Sequence, residues 1–197
     1  MCCDRFHAMV VEGEHSLRKK GRDVLTFGHG KATEEELAAL IRGAGITRVV
    51  DVRSVPKSRV HPHVWAERLA LWIPAETGAT YQWERELGGF RKPNPHSPNV
   101  ALRHPSFRGY ADYMRTPQFV NAIDKLVETS KDPGTAIMCS ESVWWRCHRR
   151  LIADALVLTR GIDVWHLMHD GRLDPHKPTP GVRLDGDVLV YDLSSNE

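Results

Sequence analysis

The sequence has no apolar run near the ~20 residues that a bilayer span needs; its longest stretches, such as the one around Leu151 to Leu158, are broken by Asp154. It also lacks an apolar segment at its start. Asp4, Arg5 and His7 stand where a signal peptide would carry its hydrophobic run, so neither secretion nor a membrane role is expected. Net charge is small: 27 Lys plus Arg against 25 Asp plus Glu leave +2. No global field therefore gathers nucleic acid or anionic lipid, and any charge-driven partner must be read by a local patch. Cysteine is scarce, with four in 197 residues, Cys2 and Cys3 adjacent and Cys139 and Cys147 far away. That distribution argues against a disulfide scaffold and fits a reduced, intracellular chain, placed in the cytoplasm. Internal repeats and low-complexity segments are missing too.

What is present is the composition of one globular domain, 41% hydrophobic and 26% charged. Residues 1–22, ending in Arg18-Lys19-Lys20-Gly21-Arg22, read as an extension; 23–197 read as the domain. Asp23 to Phe27 is a short apolar run that stops at Gly28-His29-Gly30, a strand ending in a glycine turn. Thr33 with Glu36 three residues on forms a capping box, and Leu37, Leu40, Ile41 and Ala44 follow at helical spacing. Thr47 to Val52 is apolar on both faces, as in a parallel sheet. Val64 to Leu87 predicts helix pieces interrupted at Pro74 and Gly78, and Gly88 to Pro105 a long loop. Phe107 to Thr129 predicts helix broken near Pro117. A third buried strand spans Gly134 to Met138, a helix resumes no later than Cys147, and Ile162 to Leu167 is a fourth strand. Val182 to Leu184 and Val188 to Tyr191 flank Asp185-Gly186 as a hairpin. The predicted fold is α/β: a single three-layer domain with a mostly parallel sheet and a C-terminal hairpin.

In an open parallel sheet the ligand site lies beyond the carboxyl ends of the strands. Here those exits carry His29, then Asp51, Arg53, Ser54, Ser58 and Arg59, then Cys139, Ser140 and Glu141, then His166 and His169. Asp51 and Arg53, at i and i+2, share a face and either enter a pocket or form a structural ion pair. Arg53 and Arg59 suit an anion through their planar forks. Cys139, at a strand-to-helix junction near Arg146, Arg149 and Arg150, is either an activated thiolate or a small buried side chain. Glu141 is an acid or base, or a helix cap. Cys147 shares a stripe with Leu151 and Ala155, which favours packing, while His148 and Arg149 flank it. The seven residues between Cys139 and Cys147 are not a zinc spacing, so no metal is assigned, and no cofactor motif is read. A thiolate-phosphatase loop is also lacking, because Val143, Trp144 and Trp145 fill the place of a glycine-rich cradle. The loop from Gly88 to Pro105 carries Arg91, Lys92, His96, Arg103 and His104. With Phe90, Phe107 and Tyr110 it forms a basic, aromatic patch suited to nucleic acid, or a solvated cover of the sheet edge.

Five spaced motifs run in order: Thr26-x-Gly28-His29; Asp51-Val52-Arg53-Ser54-x-Pro56-x-Ser58-Arg59; Tyr81 with Leu87-Gly88-Gly89; Phe107-x-Gly109-Tyr110-Ala111-x-Tyr113-Met114; and Met138-Cys139-x-Glu141 with Cys147-His148-Arg149. Together, over about residues 24 to 168, they resemble the bacterial and archaeal domain-of-unknown-function family numbered 488. The resemblance implies an α/β domain and no particular activity. It also implies that Asp51, Arg53, Ser58, Arg59, Cys139, Glu141, Cys147, His148 and Arg149 belong to one site. Ser140 stands where the family usually has Ala, and Val143-Trp144-Trp145 replaces a more polar, proline-containing stretch.

The leading expectation is an enzyme, a thiol-dependent hydrolase or transferase, with an anion- or nucleotide-binding pocket at the strand ends. Asp51, Cys139, Glu141 and His148 would be catalytic; His29, Arg53, Ser58, Arg59, Cys147 and Arg149 would bind the ligand. Two alternatives stand beside it: a non-catalytic nucleic-acid-binding module using the 88–110 region and Arg18 to Arg22, and a partner-binding scaffold.

Overall fold

The computed structural model describes residues 23–193. The extension over residues 1–22, with its basic run and with Cys2 and Cys3, lies outside the described residues.

Strand β1 (Asp23–Gly28) is buried from Val24 onward. Gly30 turns the chain with a φ of 54°, a conformation that costs glycine little. Thr33 then caps α1 (Glu34–Gly43) reciprocally with Glu36, as the capping box predicts, so two otherwise orphaned amides are satisfied. Next come β2 (Arg48–Asp51), α2 (Ala66–Thr77), β3 (Thr80–Trp83), α3 (Pro105–Tyr113), α4 (Pro117–Thr129), β4 (Thr135–Cys139) and α5 (Arg149–Arg160). The chain ends in β5 (Asp163–Leu167), β6 (Leu173–Pro175) and the hairpin β7 (Val182–Asp185) and β8 (Val188–Tyr191).

Six strands form one sheet in the order β3-β2-β4-β1-β5-β6, parallel except for β6 at the edge. Helices cover both faces. Leu37, Ile41, Leu69 and Ile73 from α1 and α2 pack on one face with Phe27 and Val49. Tyr110, Phe119, Ile123, Leu151 and Ile152 from α3, α4 and α5 pack on the other with Val50 and Ile137. The hairpin pairs only with itself, and Leu189 and Tyr191 anchor it to the second core. This is the three-layer α/β domain that the alternation of strands and helices implies. No helix among the described residues is long and apolar enough to cross a membrane.

Three local expectations need correction. Pro74 does not interrupt the chain: α2 runs through it to Thr77 and stops only at Gly78, with φ 71°. The missing proline amide would have bonded to the carbonyl of Ala70, an exposed residue. Strands β3 and β6 fall in stretches assigned no strand, because four and three half-exposed residues carry no buried apolar signature. The last helix begins at Arg149 rather than by Cys147; a short 3₁₀ turn, Trp144–Arg146, precedes it.

Register sets the site. Gly28 pairs with Cys139, and Asp51 with Met138, so three central strands end side by side. Beyond them, the His29 amide donates to the Cys139 carbonyl at 2.9 Å and the Val52 amide to that of Met138 at 2.9 Å. The close approach depends on glycine: a Cβ on Gly28 would lie 1.8 Å from the Glu141 carbonyl oxygen and 2.6 Å from an Arg149 nitrogen. Gly28→Ala should therefore lower the urea midpoint by the equivalent of about 1–3 kcal/mol, the usual cost of overpacking. Gly43→Ala, where a Cβ meets nothing within 4 Å, should be neutral or slightly stabilising, by up to ~1 kcal/mol.

Candidate active site

Two groups of polar side chains meet at the carboxyl edge of β1, β2 and β4. The first is built on Asp51, fully buried at the end of β2. Its carboxylate accepts from Arg53 Nε at 2.9 Å, Arg53 Nη2 at 2.6 Å, the Arg53 amide at 3.0 Å and the Tyr81 hydroxyl at 2.8 Å. Arg53 Nη2 also donates to the Val64 carbonyl at 2.8 Å, and Nη1 faces His29 Nε2 at 3.3 Å. Such a bidentate, desolvated pair is rigid. Burial, and then the Arg53 charge, push His29 down to about 4, so its ring is neutral.

The second group is Cys139, Cys147, His148 and Arg149. Cys139 closes β4, and the other three lie where the chain enters α5. His148 Nε2 donates to the Val52 carbonyl at 2.9 Å. That bond turns Nδ1 toward both sulfurs, 3.8 Å from Cys139 Sγ and 3.7 Å from Cys147 Sγ. Gly89 comes close to the ring, where a Cβ would come within 3.1 Å of Nδ1, and the Tyr110 ring lies tilted beside it at 5.0 Å. The thiols of the pair diverge. A hydrogen bond from Cys147 holds Cys139 well below the usual thiol range, and the charges of His148 and Arg149 add to this against the burial penalty. Cys147, hydrogen-bonded to that thiolate and buried, is pushed up and keeps its proton. Burial disfavours a charged His148, but the Cys139 thiolate outweighs it and raises the ring. Both shifts favour a charged Cys139 beside a protonated His148, and the Cys139 charge reaches His29 and Arg53 as well.

Arg149 is only 1% exposed. Its Nη2 donates to the Ser142 carbonyl at 2.9 Å, and its Nε and Nη1 have no partner among the described residues. A buried guanidinium without a carboxylate is unusual, because leaving N–H donors unmade costs about 1–3 kcal/mol or more.

The structure thus brings His29, Asp51 and Arg53 together, and Cys139, Cys147, His148 and Arg149 together. It separates the remainder. Ser58 Oγ accepts the amides of Val60 and His61 and shapes a turn, and Arg59 is exposed beside it; neither bonds to the cysteine group. The Glu141 side chain is exposed and does not cap α5, which starts eight residues later. Of the loop aromatics, Tyr110 is buried with its hydroxyl on the Leu87 carbonyl at 2.8 Å, Phe107 lies under Arg150, and Phe90 is 91% exposed. The donor atoms of Cys139, Cys147 and His148 lie within 4.8 Å of one another, despite their spacing. Three such donors suffice for one small soft cation with an open fourth position.

A buried network escaped the sequence. Thr26 Oγ1 meets His166 Nδ1 at 2.7 Å, His166 Nε2 meets His176 Nδ1 at 3.0 Å, and His176 Nε2 meets Asp154 at 2.9 Å. Tyr191 donates to the same carboxylate at 3.0 Å, and Trp144 stacks on His166 at 4.0 Å. Its signals were His166 at a strand exit and Asp154, a carboxylate inside an apolar stripe.

A profile of the family described as domain of unknown function DUF488 matches residues 33–156. That is more than half of the chain, and the chain belongs to this family. No curated protein and no solved structure matches it.

Two outcomes follow from the first group. Asp51→Ala should destabilise the fold by about 3–5 kcal/mol in chemical unfolding, because it strands a buried guanidinium, while Tyr81→Phe should cost only about 1 kcal/mol. His29 titrates near 4 when folded and near 6.5 when unfolded, so the unfolded chain binds the extra proton and stability falls as pH drops from 6.5 through 4. His29→Gln, whose amide oxygen can still accept from Arg53, should flatten that part of the stability–pH curve.

Proposed function

We propose that this DUF488 protein is a thiol-dependent enzyme, a hydrolase or transferase, that acts on an anionic substrate at the carboxyl ends of β1, β2 and β4. The observation that carries this reading is the single imidazole nitrogen, His148 Nδ1, set between two sulfurs by a backbone carbonyl on its far side. Cys139 is the nucleophile. It attacks an electrophilic centre, and the leaving group takes the Nδ1 proton of His148; neutral His148 then deprotonates the water or acceptor that releases the product. Arg149, with two unpartnered donors at 1% exposure, supplies the anion contact. Beside the β2 exit a groove of about 320 Å³, lined by Ser54, Lys57, Glu67, Trp83 and Arg85 among others, offers room for the rest of the substrate, with two cations against one carboxylate. Arg53 and Tyr81 take up the Asp51 carboxylate, so proton transfer falls to His148. A free, reactive thiol pair suits a reducing compartment such as the cytoplasm.

Alkylation of Cys139 by iodoacetamide as a function of pH tests this. The reactivity midpoint should lie well below the ~8.5 of a free thiol and should rise toward that value in His148→Ala. A midpoint at or above the free-thiol figure in the unaltered protein overturns the nucleophile assignment.

A further inference from the structure

Cys147 has no role in that scheme beyond a hydrogen bond, yet its placement is specific. A cysteine in the inner stripe of α5 would normally be inert packing. This one sits just before the helix, 3% exposed, with its sulfur on the same imidazole nitrogen as Cys139. The two sulfurs are within 4.8 Å. A disulfide needs about 2.05 Å between sulfurs and ~3.8 Å between the Cβ atoms, so its closure requires side-chain rotation and a shift of Cys147. Cys139 is fixed inside the sheet, so the shift belongs to the connecting segment, whose Ser140, Glu141, Ser142, Trp145 and Arg146 are exposed. Cys139 is itself only 5% exposed, which favours a small electrophile.

We infer that Cys147 is the resolving thiol of Cys139, so that the same site reduces a small hydroperoxide and closes a reversible Cys139–Cys147 disulfide. This rests on the reading of Cys139 as the thiolate nucleophile. The Cys139 sulfur attacks the terminal peroxide oxygen; the O–O bond breaks, the alkoxide or hydroxide leaves with the His148 proton, and Cys139 becomes a sulfenic acid. The Cys147 sulfur then attacks Cys139 Sγ, the S–O bond breaks, and hydroxide leaves as water with the Cys147 proton. Two thiols give up two electrons, the peroxide becomes an alcohol or water, and an external thiol restores the pair.

The test uses the full chain, reduced, freed of reductant and treated with chelator, then exposed to equimolar hydrogen peroxide at neutral pH. Free thiols are blocked with N-ethylmaleimide before digestion with trypsin without reduction. Trypsin cleaves after Arg146, between the two cysteines, so the disulfide joins two peptides that otherwise separate. The joined species should accumulate with peroxide and vanish with dithiothreitol. Cys147→Ser should instead leave a sulfenic acid on Cys139 that dimedone traps. Cys139 left unoxidised, oxidised to sulfinic acid while Cys147 stays maleimide-labelled, or joined to Cys2 or Cys3 would overturn the inference. The nucleophile reading survives each of those results if the alkylation midpoint stays low, and falls with the inference if it does not.

Discussion

One hydrogen bond, from His148 Nε2 to the carbonyl of Val52, organises the carboxyl edge of this protein. An imidazole has two nitrogens, and whichever is held by a backbone acceptor dictates what the other can do. Val52 leaves β2 beside the end of β4, and its amide continues the ladder to Met138. Its carbonyl is therefore as rigid as the sheet, and the ring it holds is rigid too. Gly89 lies against one side of that ring, and Ser54 donates to the Gly89 carbonyl at 2.7 Å. Sheet, glycine strip and α5 entry are thus tied to a single side chain, and the position of both sulfurs relative to a proton donor follows.

The two buried arginines show how structure and chemistry divide. Arg53 directs both arms of its fork at Asp51 and has a backbone carbonyl as well, so its desolvation is offset within the fold. Arg149, equally buried, bonds one carbonyl and nothing else among the described residues. Burying an ion costs several kcal/mol even after relaxation, and a protein does not keep such a charge without a counter-charge. Here the Cys139 thiolate is the partial answer, because Arg149 is among the groups that favour its ionised form. The Asp154–His176–His166 chain, by contrast, is satisfied at nearly every step. Through Trp144 and Tyr191 it fastens the segment after Cys139 and the terminal hairpin to the second core.

Much of this was legible in the residues. Apolar runs flanked by glycine gave away the four central strands of the sheet, and Thr33 with Glu36 marked the first helix start. The strand exits set His29, Asp51, Arg53 and Cys139 on one edge, because parallel topology forces those positions there. Sequence distance hid the rest. Nothing in a spacing of seven residues says that a 3₁₀ turn folds Cys147 back onto Cys139, and nothing near Val52 announces a histidine 96 residues later. Conversely, Glu141 and Ser58 follow the strands closely, but short turns swing them outward. Strand β3, half-exposed at an edge, lacks the hydrophobic signal on which strand assignment depends.

The central claim is that Cys139 and His148 exist as a thiolate–imidazolium pair. Heteronuclear NMR of the His148 ring nitrogens tests it directly. Both nitrogens should carry a proton at neutral pH, and Nδ1 should lose its proton in Cys139→Ala while Nε2 keeps the one it shares with Val52. An Nδ1 that is already unprotonated in the unaltered protein at neutral pH would contradict it.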